Sequence, residues 1–180
     1  MTSTDPTERG YWRPLLALQE RLEAEIADLY AERGVHGVRP RFAYPLIRLA
    51  HSGPMTLREL AASLGRTHSA LSQTVSAMRE QDLVETAPGA DARTRVVRLT
   101  ERGRSLVPFL EAEWNATEDA IEALDAELPV HLADYVAAMS ARLEQRGFRD
   151  RIAERLDRPR AGEAESAGST RDQESEDSGR

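Results

Sequence analysis

The chain has no cysteine, no lysine, only 5% aromatic residues, and no apolar run near the roughly 20 residues that a membrane span needs. Without cysteine, disulfides, thiolate zinc sites, iron–sulfur clusters and thiol redox sensing are excluded. The opening stretch, MTSTDPTERG, is polar and lacks the apolar core of a signal peptide, so a cytoplasmic protein with no membrane partner is expected. There is no phosphate-binding glycine loop, no metal-ligand cluster and no nucleophile–base pair that stands out. His36, His51, His68 and His131 fall in separate elements. The expectation is therefore a protein without catalytic activity, cofactor or metal.

All 24 basic residues are Arg. Its planar fork suits phosphate and guanine, but Arg-for-Lys usage with abundant Ala is also what a GC-rich genome produces. The net charge of −7 is unfavourable for a nucleic-acid partner. It is unevenly spread: residues 1–50 carry net 0, residues 51–106 net +2, residues 107–156 net −6 and residues 157–180 net −3. The acid lies outside the one segment that is basic. At 180 residues the chain suits one domain with extensions and can bury a core.

Near the start, Pro14 sits where a first helical turn tolerates proline, and Leu15, Leu18, Leu22, Ile26 and Leu29 follow on one helical stripe. Gly34 and Gly37 end that helix. A second begins near Arg39-Pro40 and carries Phe42, Leu46, Ile47 and Leu49 inward, with Pro45 expected to kink it or delay its start. His51-Ser-Gly-Pro54 is a turn. Thr56 with Glu59 forms a capping box, and Leu57, Leu60, Ala61 and Leu64 give the core face of the next helix. Gly65 supplies a left-handed turn, and Thr67 caps a helix that buries Ala70, Leu71, Thr74, Val75 and Met78.

After Leu83 a strand, a turn at Pro88-Gly89-Ala90-Asp91 and a returning strand from Arg95 to Leu99 form a hairpin. Thr100 is placed to cap a helix with Leu106, Leu110, Trp114, Thr117, Ile121, Leu124 and Leu128 on one face. A last helix from about Pro129 carries Leu132, Val136, Met139 and Leu143. The fold class is mainly α with a small β-hairpin wing: a winged helix-turn-helix head flanked by terminal helices.

The exposed face of the second head helix carries His68, Ser69, Ser72, Gln73, Ser76 and Arg79. A solvated helix face normally shows salt-bridged rows of Glu, Lys and Arg. Small hydroxyls and an amide instead let a helix approach closely and read base edges, and Gln pairs bidentately with adenine. Arg66, Arg79 and Arg95, with the helix N-terminus, are candidates for anchoring phosphates. The turn Asp91-Ala92-Arg93-Thr94-Arg95 puts Arg93 where it reaches a minor groove, with Asp91 holding an Arg in register; a solvated turn with a surface ion pair is the competing reading.

The run from Thr56 to Gly103 resembles the winged helix-turn-helix of the multiple-antibiotic-resistance regulator (MarR) family. The resemblance rests on Leu60-Ala61 and Leu64, on Ser69-Ala70-Leu71-Ser72-Gln73, and on Asp91-x-Arg93 followed by Leu99-Thr100 and Gly103. With the flanking helices it covers roughly residues 11–147. It implies recognition residues Thr67, His68, Ser69, Ser72, Gln73 and Ser76 and wing residues Asp91 and Arg93. It also implies a homodimer of interleaved terminal helices on a pseudo-palindromic operator in double-stranded DNA. By family function it is a repressor, less often an activator, released by a small-molecule effector. A ligand pocket between arms and head would draw on Trp12, Phe42, Tyr44, His51 and Trp114.

The expected organisation is a disordered N-terminus at 1–10, a dimerisation helix at 11–38, the winged head at 39–104, C-terminal dimerisation helices at 105–147 and a polar acidic tail at 148–180, largely disordered. The alternative is a winged-helix protein-interaction module that has lost DNA binding.

Overall fold

Caps and prolines write the helix starts of this chain, and the computed structural model, which describes residues 5–89 and 94–157, follows most of them. A single 3-10 turn at Pro6–Glu8, capped by Asp5, stands within the segment expected to be disordered. The Asp5 carboxylate orders it by accepting both the amide and the hydroxyl of Thr7. Helix α1 (Arg13–Glu32) begins with Pro14 in its first turn, where a missing N–H has no intrahelical bond to lose. Pro40–Phe42 form another 3-10 turn and α2 runs Ala43–Ser52. Pro45 lies in the first turn of α2, so of the two effects expected of it the delayed start is the one observed.

Strand β1 (Met55–Thr56) leads into α3 (Leu57–Ser63), where the capping box is complete. The Glu59 amide donates to Thr56 Oγ1 at 3.2 Å, and the Thr56 amide donates to Glu59 Oε2 at 2.8 Å. The amide and then the hydroxyl of Thr56 hold the Glu59 carboxyl below its ordinary value. Gly65, at φ 60°, turns the chain in the left-handed region, and Thr67 caps α4 (His68–Glu80) by accepting the Ala70 amide at 3.3 Å.

Strands β2 (Val84–Pro88) and β3 (Arg95–Leu99) pair antiparallel from Val84↔Leu99 to Pro88↔Arg95. The other edge of β3 takes β1 through Met55↔Val97, so the hairpin becomes a three-stranded sheet in the order β1-β3-β2. Two residues are too few to show an alternating pattern, which is why β1 was not anticipated.

The core gathers Tyr30, Phe42, Leu46, Leu60, Met78, Leu83 and Leu110. From α4 it takes Leu71, Val75 and Met78 as expected. Ala70, in contrast, is exposed and Thr74 only half-buried. Both fall on the side of α4 that borders a cavity, not packed core. In α1 the helical stripe is shifted: Leu15, Leu18 and Leu29 are exposed, Leu22 and Ile26 half-buried, and Tyr30 is the buried residue.

Helix α5 (Glu101–Ala126) buries Gly103, Val107, Leu110 and Glu113 and leaves Ile121 and Leu124 exposed. The chain divides into two compact units, Met1–Asp119 and Ala120–Arg180. In the second, α6 (Leu132–Gln145) starts where Asp125 Oδ1 accepts the Leu132 amide at 2.9 Å, three residues beyond the expected Pro129. A further helix, α7 (Phe148–Asp157), occupies the first part of the expected acidic tail. Phe148, Ile152 and Leu156 recur there at helical spacing, and Arg151 donates to the Arg146 and Arg142 carbonyls at 3.0 and 2.7 Å. The rest of that tail lies outside the described residues. Among the described residues no helix is long and apolar enough to cross a membrane, and no cluster of three His, Asp or Glu side chains is placed to hold a metal.

Candidate nucleic-acid interface

Three core anchors orient α4. Leu71, Val75 and Met78 at helical spacing turn one face inward, so the opposite face is presented by construction. Arg66, Thr67, His68, Ser69, Gln73, Ser76 and Arg79 are exposed on it, and Ser72 is half-buried. Thr67 spends its hydroxyl oxygen on the cap. Among the described residues Ser69, Gln73, Ser76 and Arg79 make no side-chain hydrogen bond or ion pair. The face combines unspent donors and acceptors with the open N-terminus of a 13-residue helix.

The hairpin beside it is held at its base. Leu99 is buried, Thr100 Oγ1 donates to the Asp82 carbonyl at 2.6 Å, and the Gly103 amide donates to Thr100 Oγ1 at 3.0 Å. Arg102 clamps the same end, giving Nη1 to the Gln81 carbonyl and Nη2 to the His36 carbonyl, both at 2.8 Å. Arg98 pairs with Glu85 across the strands at 2.8 Å. Arg95 stands exposed at the start of β3. Asp91 and Arg93, the tip residues singled out from the sequence, lie outside the described residues.

A cavity of about 460 Å³ lies behind α4, within the first compact unit. Its walls are Ile26 of α1, Pro40, Arg41, Ala43, Tyr44 and Pro45, Leu64 and Arg66, then Ala70, Leu71 and Thr74 of α4, and Glu113, Trp114 and Thr117 of α5. Of the five pocket residues read from the sequence, Tyr44 and Trp114 line it, their ring centroids 5.2 Å apart. The other three do not. Phe42 is core, Trp12 meets Tyr11 edge-on, and His51 Nε2 lies 2.7 Å from Glu111 Oε1 at an exposed site.

Sequence reasoning missed the most buried polar group of this region. Glu113 accepts the Tyr30 hydroxyl on Oε2 at 2.8 Å and the Thr117 hydroxyl on Oε1 at 2.7 Å. Burial, and then the hydrogen bond to Glu113, push the Tyr30 hydroxyl well above its ordinary pKa, so it remains a donor. Glu113 falls between Leu110 and Trp114 in the periodic pattern, and nothing local distinguishes it from the exposed acids of α5.

These features match those of known proteins. Residues 40–94 match the model of the MarR family. No curated protein matches the sequence. Among solved structures, the chain is similar to the MarR family transcriptional regulator SPO1453 from Silicibacter pomeroyi DSS-3, at 27% identity and a TM-score of 0.50, over 74% of this chain and 95% of that one. The S. aureus MepR–DNA complex aligns at 16% identity and a TM-score of 0.54, over 76% of this chain and 97% of that one. The M. tuberculosis regulator MOSR (Rv1049), in complex with DNA, aligns at 20% identity and a TM-score of 0.52, over 83% and 100%. Through residues 40–94, the segment that builds most of its head, this chain is similar to the MarR family.

Proposed function

We propose that the protein is a homodimeric, sequence-specific DNA-binding transcription regulator, a ligand-responsive repressor that binds a pseudo-palindromic operator and has no enzymatic activity. The observation that carries the reading is the face of α4. Ser69, Gln73, Ser76 and Arg79 stand exposed on the helix whose other face carries the core anchors, and among the described residues they leave their hydrogen-bonding groups unspent. Gln73, Ser72 and Ser76 read major-groove edges; His68, Ser69 and the free amides of the first turn meet phosphates; Arg93 enters the minor groove. The family match and the DNA-bound regulators of the same fold support this assignment.

Dimerisation is supported by the apolar side chains that each unit leaves uncovered. Leu15, Leu16 and Leu18 of α1 are exposed, and so are Leu132, Val136 and Leu143 of α6. Such stripes on a water-soluble chain mark an interface with another surface. A net charge of only +2 over residues 51–106 makes two heads on one operator the economical route to affinity.

Selection from a random duplex pool tests the reading. A palindrome with half-sites about one helical turn apart is the expected product. Enrichment of no duplex would sink it and favour a protein-interaction module.

A further inference from the structure

Helix α7 lies past residues 11–147, the stretch over which the chain resembles the MarR family. It is joined to α6 by a locked corner. Arg151 donates to the Arg142 and Arg146 carbonyls at the end of α6, and Arg146 pairs with Glu154. These contacts turn the Arg151–Glu154 side of α7 towards α6. At 3.6 residues per turn, Phe148, Ile152 and Leu156 fall on a different side, and they are 66%, 46% and 79% exposed. The acids Asp150, Glu154 and Asp157 occupy the face opposite this stripe. Arg149 and Arg155 flank the stripe, one on each side, both exposed. Among the described residues neither makes a side-chain hydrogen bond or ion pair.

An apolar stripe edged by arginines fits an apolar stripe edged by acids. The same chain carries one. From Ser105 to Ala141 there are eight Asp or Glu residues and no Arg. At the end of α5, Ile121 and Leu124, with Leu128 just past the helix, are exposed. Glu122, Asp125 and Glu127 alternate with them along the chain. The stripe of α6 is a poorer match, because Asp134 and Glu144 are its only acids and Arg142 stands among them. Within one protomer the α5 and α7 stripes are both uncovered, and the Arg151 corner fixes α7 in that arrangement.

We infer that α7 is a clasp between copies. The Phe148-Ile152-Leu156 stripe of one chain packs on Ile121, Leu124 and Leu128 of a second copy, and Arg149 and Arg155 face Glu122 and Glu127 there. Two-fold symmetry makes the contact twice. Apolar burial supplies most of the affinity. The charges choose which helix α7 meets: exposed ion pairs contribute little each, but like charges set side by side are penalised. The inference rests on the homodimer part of the proposed function and gives that dimer a second contact, separate from the α1 stripe and from DNA.

Sedimentation of the full chain tests it with two charge-reversed variants, R149E/R155E in α7 and E122R/E127R at the end of α5. All four positions are exposed, so each variant should keep the helical content of the parent. Each alone should dimerise about tenfold or more weakly than the parent, and so should I152E. An equimolar mixture of the two charge-reversed variants should restore dimerisation to within about threefold of the parent, because every α7–α5 contact between unlike copies then pairs opposite charges. Two weak variants whose mixture stays weak overturn the inference, since an α7 docked on its own α5 carries its mismatch into any mixture. Variants that dimerise as tightly as the parent overturn it as well and leave the α1 interface standing. A monomeric parent overturns it together with the homodimer reading, while duplex selection reports on DNA binding separately. The mixing result decides even where I152E fails to fold.

Discussion

A Cβ placed on Gly103 would stand 2.0 Å from the carbonyl oxygen of Leu83. That oxygen accepts the Thr100 amide at 3.1 Å, so it is not free to retreat. The first turn of α5 therefore sits directly on the backbone where β2 begins, and Thr100 staples the two together through Asp82. The Leu99-Thr100-x-x-Gly103 run works as a lock at the base of the wing.

Replacing Gly103 by Ala should cost stability by about 1–3 kcal/mol, the range for forcing extra volume into a packed site. The urea midpoint measures it. A variant as stable as the parent would show that the lock yields at little cost.

The exposed face of α4 should act through different terms at different positions. Gln73→Ala is expected to lose about 1–3 kcal/mol of discrimination at one base pair of each half-site, leaving the others intact. Arg93→Ala should weaken operator binding at least several-fold and flatten its dependence on salt. Mobility-shift titrations at two salt concentrations separate the two effects. Unchanged affinity in Arg93→Ala would remove the wing from the interface.

The Tyr30–Glu113 bond makes a prediction about alkaline pH. The folded chain holds the Tyr30 proton above the ordinary value of 10.0, whereas the unfolded chain releases it near that value. The unfolded state then binds fewer protons, so this contribution to stability is complete below about pH 10 and declines as pH rises further. Tyr30→Phe leaves Glu113 Oε2 without its donor and should cost about 1–3 kcal/mol near neutral pH. The difference between parent and variant should begin to narrow as pH rises above about 10 in urea titrations. A constant difference would argue that Tyr30 ionises normally.

Leu18 is 46% exposed in the single chain, so Leu18→Glu should change the stability of one folded protomer by no more than about 0.5 kcal/mol. If the α1 stripe joins two copies, the same substitution should convert dimer to monomer in sedimentation experiments. A dimer that survives it would move the interface away from α1.

The helices of the head were legible because each start is marked locally. Thr56 with Glu59, Gly65 and Thr67 are signals that act within four residues, and the structure uses each one. Ala70 and Thr74 show where periodicity alone misleads. They lie on the inward arc of α4, but no side chain arrives opposite them, and the space remains as a cavity. Tyr30 carries the same lesson from the other side. It was outside the leucine stripe of α1, yet it is buried because Glu113, 83 positions away, offers it an acceptor.

Phe42, Trp12 and His51 were assigned to a pocket only through the resemblance, which implies one between arms and head. Their placement depends on which neighbours reach them: core around Phe42, Tyr11 beside Trp12, Glu111 beside His51.

The amino-acid sequence by itself determined the order of the head's helices and hairpin, the exposed Ser/Gln face of α4 and the absence of thiol chemistry, since caps, glycines, helical spacing and composition are local properties. Only the tertiary structure decided that Gly103 must be glycine, that β1 completes the sheet, and that a buried carboxylate lines a cavity behind α4. Those depend on which atoms meet across long separations in the chain, and packing settles that after the local signals have been obeyed.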